Sequence, residues 1–448
     1  MNAAAVAPLS VPLPAARSAN AGVYAWYVAI LLSTAHLVSF IDRFLMSLVL
    51  EPLKADLGVS DTQLGLLQGT GFVILYTLVA VPLGRMADSV NRRNLIIAGI
   101  LLWSIATALC GLANSFGSLF MARIGVGFGE AALVPAAMSL LAAYFPRQQL
   151  GRAVSVFTTG ASLGKSAALI GGGAVLAALT LSGGISIPGL GQLQPWQGTF
   201  VLMAIPGIVL ALILLTVREP ARVDSGIVKP SIAVAFAHIR RYRRAYLTHT
   251  AAGTAVVMII QSLAAWSPTF YIRIFHMTPP QAGLLVGSVI LVAAPLGHLF
   301  GGFLTDLFQK RGAPAPAAPV MIAGLVCAIP AILVLGTTRS LPLSLAAYGV
   351  LNFGVTMGAP ASLAGVQMLT PDRLRGVVSS MFLATVTLIG IGMGPPLIGF
   401  VTDTVFGTPL ALDRSLMLVI PIVAVIGTVF ALASRRPFQR AAATATSA

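Results

Sequence analysis

Charge is what this sequence has least of. Only 9% of its 448 residues are charged, and 12 acidic side chains face 27 lysines and arginines. A soluble domain of ordinary usage carries about a quarter charged residues, so a soluble enzyme, a charged coiled coil and a solvated tail protein are excluded. Cysteine is scarce as well. Cys110 and Cys327 stand inside apolar runs with no ligand spacing around them, which argues for core residues over a disulfide or a metal pair. The five histidines form no nucleophile–base pair and no metal motif, so no catalytic residue, bound metal or cofactor is predicted. The opening stretch, rich in Ala and Pro with a lone Arg17, lacks the basic start, apolar core and cleavage site of a signal peptide. It reads as a cytoplasmic tail over 1–22.

What the chain has instead is hydrophobicity, at 57%, together with 45 glycines and 28 prolines. Disorder requires low hydrophobicity, so the glycine and proline are not linker material; both are frequent in membrane helices. A spanning helix needs about 20 mostly apolar residues. Runs of that kind fall at 24–50, 61–83, 94–113, 118–144, 152–181 and 196–217, then at 246–273, 281–304, 317–336, 342–368, 376–402 and 415–434. The reading is an all-α membrane protein of twelve transmembrane helices. An N-terminal six-helix bundle (23–217) is joined by a cytoplasmic linker (218–245) to a C-terminal bundle (246–434), with a tail over 435–448.

The net charge of +15 raises nucleic acid as a partner, but the placement of the charges argues otherwise. With both termini in the cytoplasm, 20 of the 27 basic residues fall on inner segments, seven of them in the linker. Four fall on outer ones: Lys54, Arg273, Arg339 and Arg414. This is the positive-inside asymmetry. The basic excess is topology, helped by anionic lipid at the inner surface, and nucleic-acid binding is not predicted.

The two halves repeat. After the second run, Gly84 is followed by Asp88 and the pair Arg92–Arg93; after the eighth, Gly302 is followed at equal spacing by Asp306 and the pair Lys310–Arg311. Pro146, Gly151, Ser155 and Phe157 likewise match Pro371, Gly376, Ser380 and Phe382 at one offset. Two echoes in register indicate a duplicated unit about an axis along the membrane normal. The expected logic of the loop is that Gly permits close approach, the Asp meets a helix N-terminus, and the bases anchor the inner surface.

These loops resemble the signature loop of the major facilitator superfamily in its two copies, with Met86, Ser89 and Asn91 departing from the usual residues. Arg123 with Gly127 resembles that family's fourth-helix arginine motif. Gly390, Gly394, Pro395 and Gly399 resemble the Gly-Pro pattern that its antiporters more often carry in the fifth helix. Phe40-Ile41-Asp42-Arg43-Phe44, the segment 60–67 and the segment from Gly125 to Ala131 are similar to the spinster subfamily. The resemblance covers the whole chain and implies the major facilitator fold, with two bundles related by a pseudo-two-fold axis. It also implies alternating access and an amphipathic substrate, with lysophospholipid or sphingoid-phosphate types foremost and sugars open.

Five charged residues lie well inside the predicted spans: Asp42, Arg43, Arg123, Glu130 and Lys165. Buried ionisable groups in a membrane mark pathways and relays by default. All five are in the N-terminal half, so ion coupling is predicted there, with the C-half shaping an amphipathic substrate surface. Asp42 and Arg43 point about 100° apart on a helix and need separate partners. Glu130, seven residues beyond Arg123 on one face, is the predicted proton carrier, exchanging with Asp42 as Arg43 changes partner; a static ion-pair network is the competing reading. Arg123 is placed near the outer end, where it can snorkel, and His36 is a weaker relay candidate. Thr159 to Ser166 imitates a phosphate-binding loop, but the required first Gly is Thr159 and no strand precedes it. Lys165 is read instead as a cavity cation for an anionic headgroup, with structural pairing to Glu130 as the alternative.

Trp266, Gln261 and Asn352 complete the predicted substrate cavity, though interfacial belting is the blander role for Trp266, Phe270 and Tyr271. Gly84, Asp88, Arg92, Arg93 and Asp306 are assigned to a conformational gate loop. The overall expectation is a proton-coupled secondary transporter of an amphipathic small molecule, driven by a proton gradient, monomeric and in the plasma (inner) membrane. An uncoupled facilitator and a sugar or drug transporter are alternatives, with an integral membrane enzyme or scaffold more remote.

Overall fold

Twelve helices of the computed structural model are long and apolar enough to cross a membrane. The structure describes residues 22–189, 191–220 and 232–446. Arg17, Arg222 and Lys229 therefore lie outside the described residues, as does most of the 1–22 tail. Spans 1 to 6 are Val23–Leu48, Asp61–Ala80, Arg92–Gly111, Phe116–Tyr144, Gln148–Leu181 and Pro195–Leu214. Spans 7 to 12 are Arg243–Phe275, Pro279–Lys310, Ala317–Thr337, Leu341–Leu369, Asp372–Phe406 and Pro409–Ala441. In hydrocarbon every backbone polar group needs an internal partner, which makes continuous helices the available solution. Their ends follow local chemistry. Ser60 and Thr278 form capping boxes with Gln63 and Gln281, and the short helix Leu50–Leu57 stops at Gly58 in a left-handed conformation.

The linker region contains a helix, Ile232–Arg241, and span 7 begins immediately afterwards. The last helix runs from Leu412 to Thr446. A two-stranded antiparallel ribbon, Ile185–Ile187 with Gly191–Leu193, sits between spans 5 and 6. It is the only departure from helix and turn among the described residues.

Helix packing repeats between the halves. Spans 1 and 5, 2 and 4, 3 and 4, and 3 and 6 pack together, and so do 7 and 11, 8 and 10, 9 and 10, and 9 and 12. The two six-helix bundles are thus pseudo-two-fold copies. Between them the principal contacts are 5 with 8 and 2 with 11, which the same two-fold relates.

An even number of spans puts both chain ends on one side of the membrane, called here the terminal side. Among the described residues the close contacts between the two bundles lie toward the opposite, far side. A methyl group at Gly65 would lie 2.6 Å from the Pro395 carbonyl oxygen, and one at Gly399 would strike the Asp61 backbone. Gly283 and Gly287 press on Leu169 and Ile170 in the other seam. Toward the terminal side, span 5 exposes Ser155, Thr159 and Ser162 while span 8 exposes Leu296, His298 and Leu299. The protein is therefore closed on the far side and open on the terminal side. Gly65→Val is expected to block this closure. Labelling of a cysteine placed at Gln68 should then quicken at least fivefold from the far side, in oriented proteoliposomes.

Two spans are broken where chemistry needs them broken. Span 4 divides into Phe116–Glu130 and Leu133–Tyr144, because Pro135 has no N–H to return to the residue-131 carbonyl. Glu130 thereby ends a helical segment inside the membrane. Span 11 carries π-helical turns at Thr387–Ile391 and Val401–Phe406 around Pro395 and Pro396, a common cause of helix distortion.

Candidate transport site and its far-side closure

The centre of the N-half is a buried polar chamber between spans 1, 3 and 4. Glu130 receives hydrogen bonds on Oε2 from the Ser39 hydroxyl at 2.7 Å and the Arg43 guanidinium at 2.6 Å. Arg43 is also caged by aromatic faces, with its guanidinium carbon 4.1 Å from the Phe72 ring centre, 4.8 Å from Phe40 and 5.3 Å from Tyr76. Cation–π contacts hold a desolvated cation without neutralising it. Arg43 is thus seated by two kinds of partner, only one of which changes with protonation.

Asp42 behaves differently from its neighbour. It is 1% exposed, yet neither carboxylate oxygen has a hydrogen-bond partner at full bonding geometry. Thr107 and Trp103 of span 3 face it with polar atoms that are also unpartnered. Arg123 spends its guanidinium on the carbonyls of Leu67, at 3.3 Å, and Asp42, at 3.5 Å. The expected snorkelling of Arg123 is overturned: its side chain is buried among spans 1, 2 and 4, because two backbone carbonyls replace the water it would otherwise seek.

Lys165 makes no ion pair among the described residues. Its ammonium lies 5.0 Å from the Phe44 ring centre and 5.9 Å from Phe40, on the same aromatic wall that carries Arg43. Static pairing with Glu130 is therefore not what holds it. The pseudo phosphate-loop around it is part of one continuous helix, Arg147–Leu181. Gln261 joins Arg43, Phe44 and Gln68 around a small central cavity between the halves. His36 is a packed core residue, stacked on Phe157 and bonded to its carbonyl at 3.2 Å.

Other predicted residues lie elsewhere. Trp266 is fully buried and donates its indole N–H to the Pro395 carbonyl at 3.0 Å. Phe270 and Tyr271 are equally buried, so the interfacial-belt reading is overturned: the three rings pack span 7 into its own bundle. Asn352 donates to Tyr348 one helical turn back, at 3.0 Å. In the signature loop, Arg92 binds Glu219 at 2.7 Å and the Pro220 carbonyl at 2.9 Å, and Arg93 caps the Val217 carbonyl at 3.1 Å. These bonds tie the loop to the end of span 6 in the same half. The side chain of Asp88 is outside the described residues, and Asp306 is exposed. The close approach expected at Gly84 and Gly302 is absent here: a methyl at Gly84 would meet only the Pro135 Cβ, at an ordinary 3.8 Å, and one at Gly302 would meet nothing within 4 Å on the parted terminal side.

The inference that buried charge belongs to the N-half alone also needs correction. Arg273 at the far end of span 7 is 6% exposed. It holds Asp61 with both terminal nitrogens, at 2.6 and 2.8 Å, and Glu51 at 2.8 Å. Lys54 binds the same Asp61 carboxylate. From the C-half, Asp403 accepts the Thr62 backbone N–H at 2.7 Å and its hydroxyl at 2.6 Å. This network bolts the halves together across the far side. Sequence reasoning placed Arg273 and Lys54 in outer loops, where topology counting alone leaves them. The apolar run beginning at residue 61 located the helix start that positions Asp61, but nothing along the chain announced its partners.

Two pseudo-symmetric bundles, a buried charged chamber facing a central cavity and a closure on one side define a membrane transporter, not an enzyme. The Major Facilitator Superfamily profile matches residues 32–395, and the chain belongs to that family. It is spinster-like within it. It is 24% identical over 420 residues to protein spinster of Drosophila melanogaster, spanning 89% of this chain and 65% of that one. An MFS-type efflux pump of Mycolicibacterium smegmatis is 29% identical over 422 residues, 92% of this chain and 93% of its own. The crystal structure of a bacterial homolog of the human lysosomal transporter Spinster, inward-facing and unoccupied, superposes with a TM-score of 0.80 at 25% identity, over 96% of this chain and 99% of that one.

Proposed function

We propose that this protein is a proton-coupled secondary transporter of an amphipathic anion, of lysophospholipid or sphingoid-phosphate type. It would work by rocking its two bundles about the central cavity in an inner membrane, with both termini cytoplasmic. The observation that carries this reading is the Arg43–Glu130 pair beside an unpartnered Asp42. Two buried carboxyl groups lie close together and only one of them is paired with an arginine, and a proton taken by Glu130 frees Arg43 without releasing it from its aromatic cage. A carboxyl whose charge is paired in one state and unpaired in another can gain and lose a proton as the protein cycles. Freed Arg43 and Lys165 would then face the anionic head, and the apolar C-half wall the tail. The terminal-side opening supports assigning this state as inward-facing, and the basic excess on that side supports a cytoplasmic placement.

Reconstitution into liposomes with an imposed proton gradient tests this, comparing lysophospholipids, sugars and drugs. Uptake that follows the gradient for an anionic amphiphile is expected; indifference to the gradient for every substrate overturns coupling. Lys165→Ala should raise KM for the anionic amphiphile about tenfold, the scale of one lost charge contact, and leave a neutral analogue unaffected. A second reading, export of drug-like amphiphiles, is favoured by the likeness to the mycobacterial efflux pump, and the same assay separates it by substrate.

A further inference from the structure

A second cavity at the seam between the halves is larger than the central one. About 750 Å³ in volume, it lies on the far side where spans 5 and 8 meet. Leu176 and Leu181 end span 5 on one wall, Pro195 and Trp196 begin span 6 on another, and Pro279 and Pro280 open span 8 on the C-half side. The size suits a ligand of drug or single-chain amphiphile dimensions. The lining is almost wholly apolar, and its polar side chains are already occupied. The Thr180 hydroxyl bonds the Leu176 carbonyl at 2.7 Å, and Thr278 and Gln194 serve in helix caps.

Asp56 is the exception. Its Oδ2 accepts the Trp196 indole N–H at 2.9 Å, while the cations nearest to it along the chain and across the seam, Lys54 and Arg273, are engaged by Asp61 and Glu51. Among the described residues no ion pair forms on Asp56. The crevice therefore carries one exposed carboxylate without an ion-pair partner at the rim of an otherwise apolar wall. A carboxylate at the rim of an apolar groove is complementary to a ligand with a cationic head and an apolar body, the head pairing at the rim and the body displacing water from the wall. The central cavity has the opposite sign, carrying Arg43 and Lys165.

We propose that this crevice is a binding site for a lipophilic monocation, an alkylammonium or similar onium ion with its charged centre against Asp56 and its hydrocarbon body along spans 5 and 8. Because the walls come from both halves, the ligand holds the far side closed. Pro280 packs against Gly173, with 3.4 Å from a methyl there to the Pro280 Cα, and parting the halves removes that wall. A ligand that binds only the closed arrangement stabilises it, so such cations inhibit transport without competing for the anion site.

The test uses the purified full-length protein in nanodiscs, with dodecyltrimethylammonium as probe and dodecyl maltoside and dodecyl sulfate as neutral and anionic counterparts. The cation is expected to alter tryptophan fluorescence saturably, a response lost in Trp196→Phe. Asp56→Asn should weaken its binding at least tenfold and leave the neutral probe unchanged. Bound cation should also slow far-side labelling of the Gln68 cysteine. Ala177→Trp, which fills the crevice from span 5, should abolish both effects and serves as the second variant if Asp56→Asn does not fold. Equal binding of all three probes, or cation binding indifferent to Asp56→Asn and Ala177→Trp, overturns the proposal and leaves an acyl-chain groove.

Discussion

Glu130→Gln is expected to lower gradient-driven uptake at least a hundredfold while sparing exchange of substrate down its own gradient. Glutamine keeps the shape of the side chain and the Ser39 hydrogen bond, but it can neither pair with Arg43 nor release a proton. Removing one partner of a buried ion pair generally costs about 3–5 kcal/mol; here the cage of Phe72, Phe40 and Tyr76 around Arg43 offsets part of that loss, so the variant should fold. The chemistry separates the two rates. Net uptake requires the carboxyl to change charge during each cycle, whereas exchange requires only the loaded protein to rock. Uptake and exchange measured side by side in proteoliposomes decide the matter. A mutant that still concentrates its substrate with a proton gradient removes Glu130 from the carrier role and returns the pair to a structural one.

Arg273→Ala is expected to shift the protein toward a far-side-open state. Arg273 is the single cation that spans the seam to meet both Asp61 and Glu51, and without it Asp61 stays buried with only Lys54. If the latch forms in the closed state alone, losing about 3–5 kcal/mol moves the equilibrium by about two to three and a half decades at about 1.4 kcal/mol per decade. Labelling of a cysteine at Gln68 from the far side should rise at least tenfold. Arg273→Lys should fall between wild type and alanine, because an ammonium cannot reproduce the two-nitrogen grip on Asp61. Unchanged labelling in the alanine variant excludes the network as a latch.

Gly65 extends the argument to packing. Its backbone meets Pro395 and Pro396 of the other half, so close that no side chain fits. Closely spaced glycines along spans 5 and 11, such as Gly160 and Gly164 or Gly390 and Gly394, stand in the sequence, yet which helices they let touch is not written there. Gly84 and Gly302 make the converse point: the same residue type, in a duplicated motif, makes no close contact in this state.

The chain by itself determined its class, its twelve spans and its duplication, because these depend on local hydrophobicity, on charge counted by position and on spacing repeated at one offset. It also singled out Asp42, Arg43, Glu130 and Lys165, since a charge inside an apolar run is conspicuous without any structure. Only the tertiary structure decided how those charges are satisfied. Arg43 pairs with Glu130, Asp42 is left without a hydrogen bond, Arg123 is sealed by backbone carbonyls, and Trp266 is turned into its own bundle. It alone assembled Glu51, Lys54, Asp61, Arg273 and Asp403 into a closure. Those residues sit at helix ends, where a charge looks like ordinary solvated surface, and they come together from positions more than 200 residues apart. Partnership across such separations is set by how two rigid bundles dock, and no local pattern encodes it.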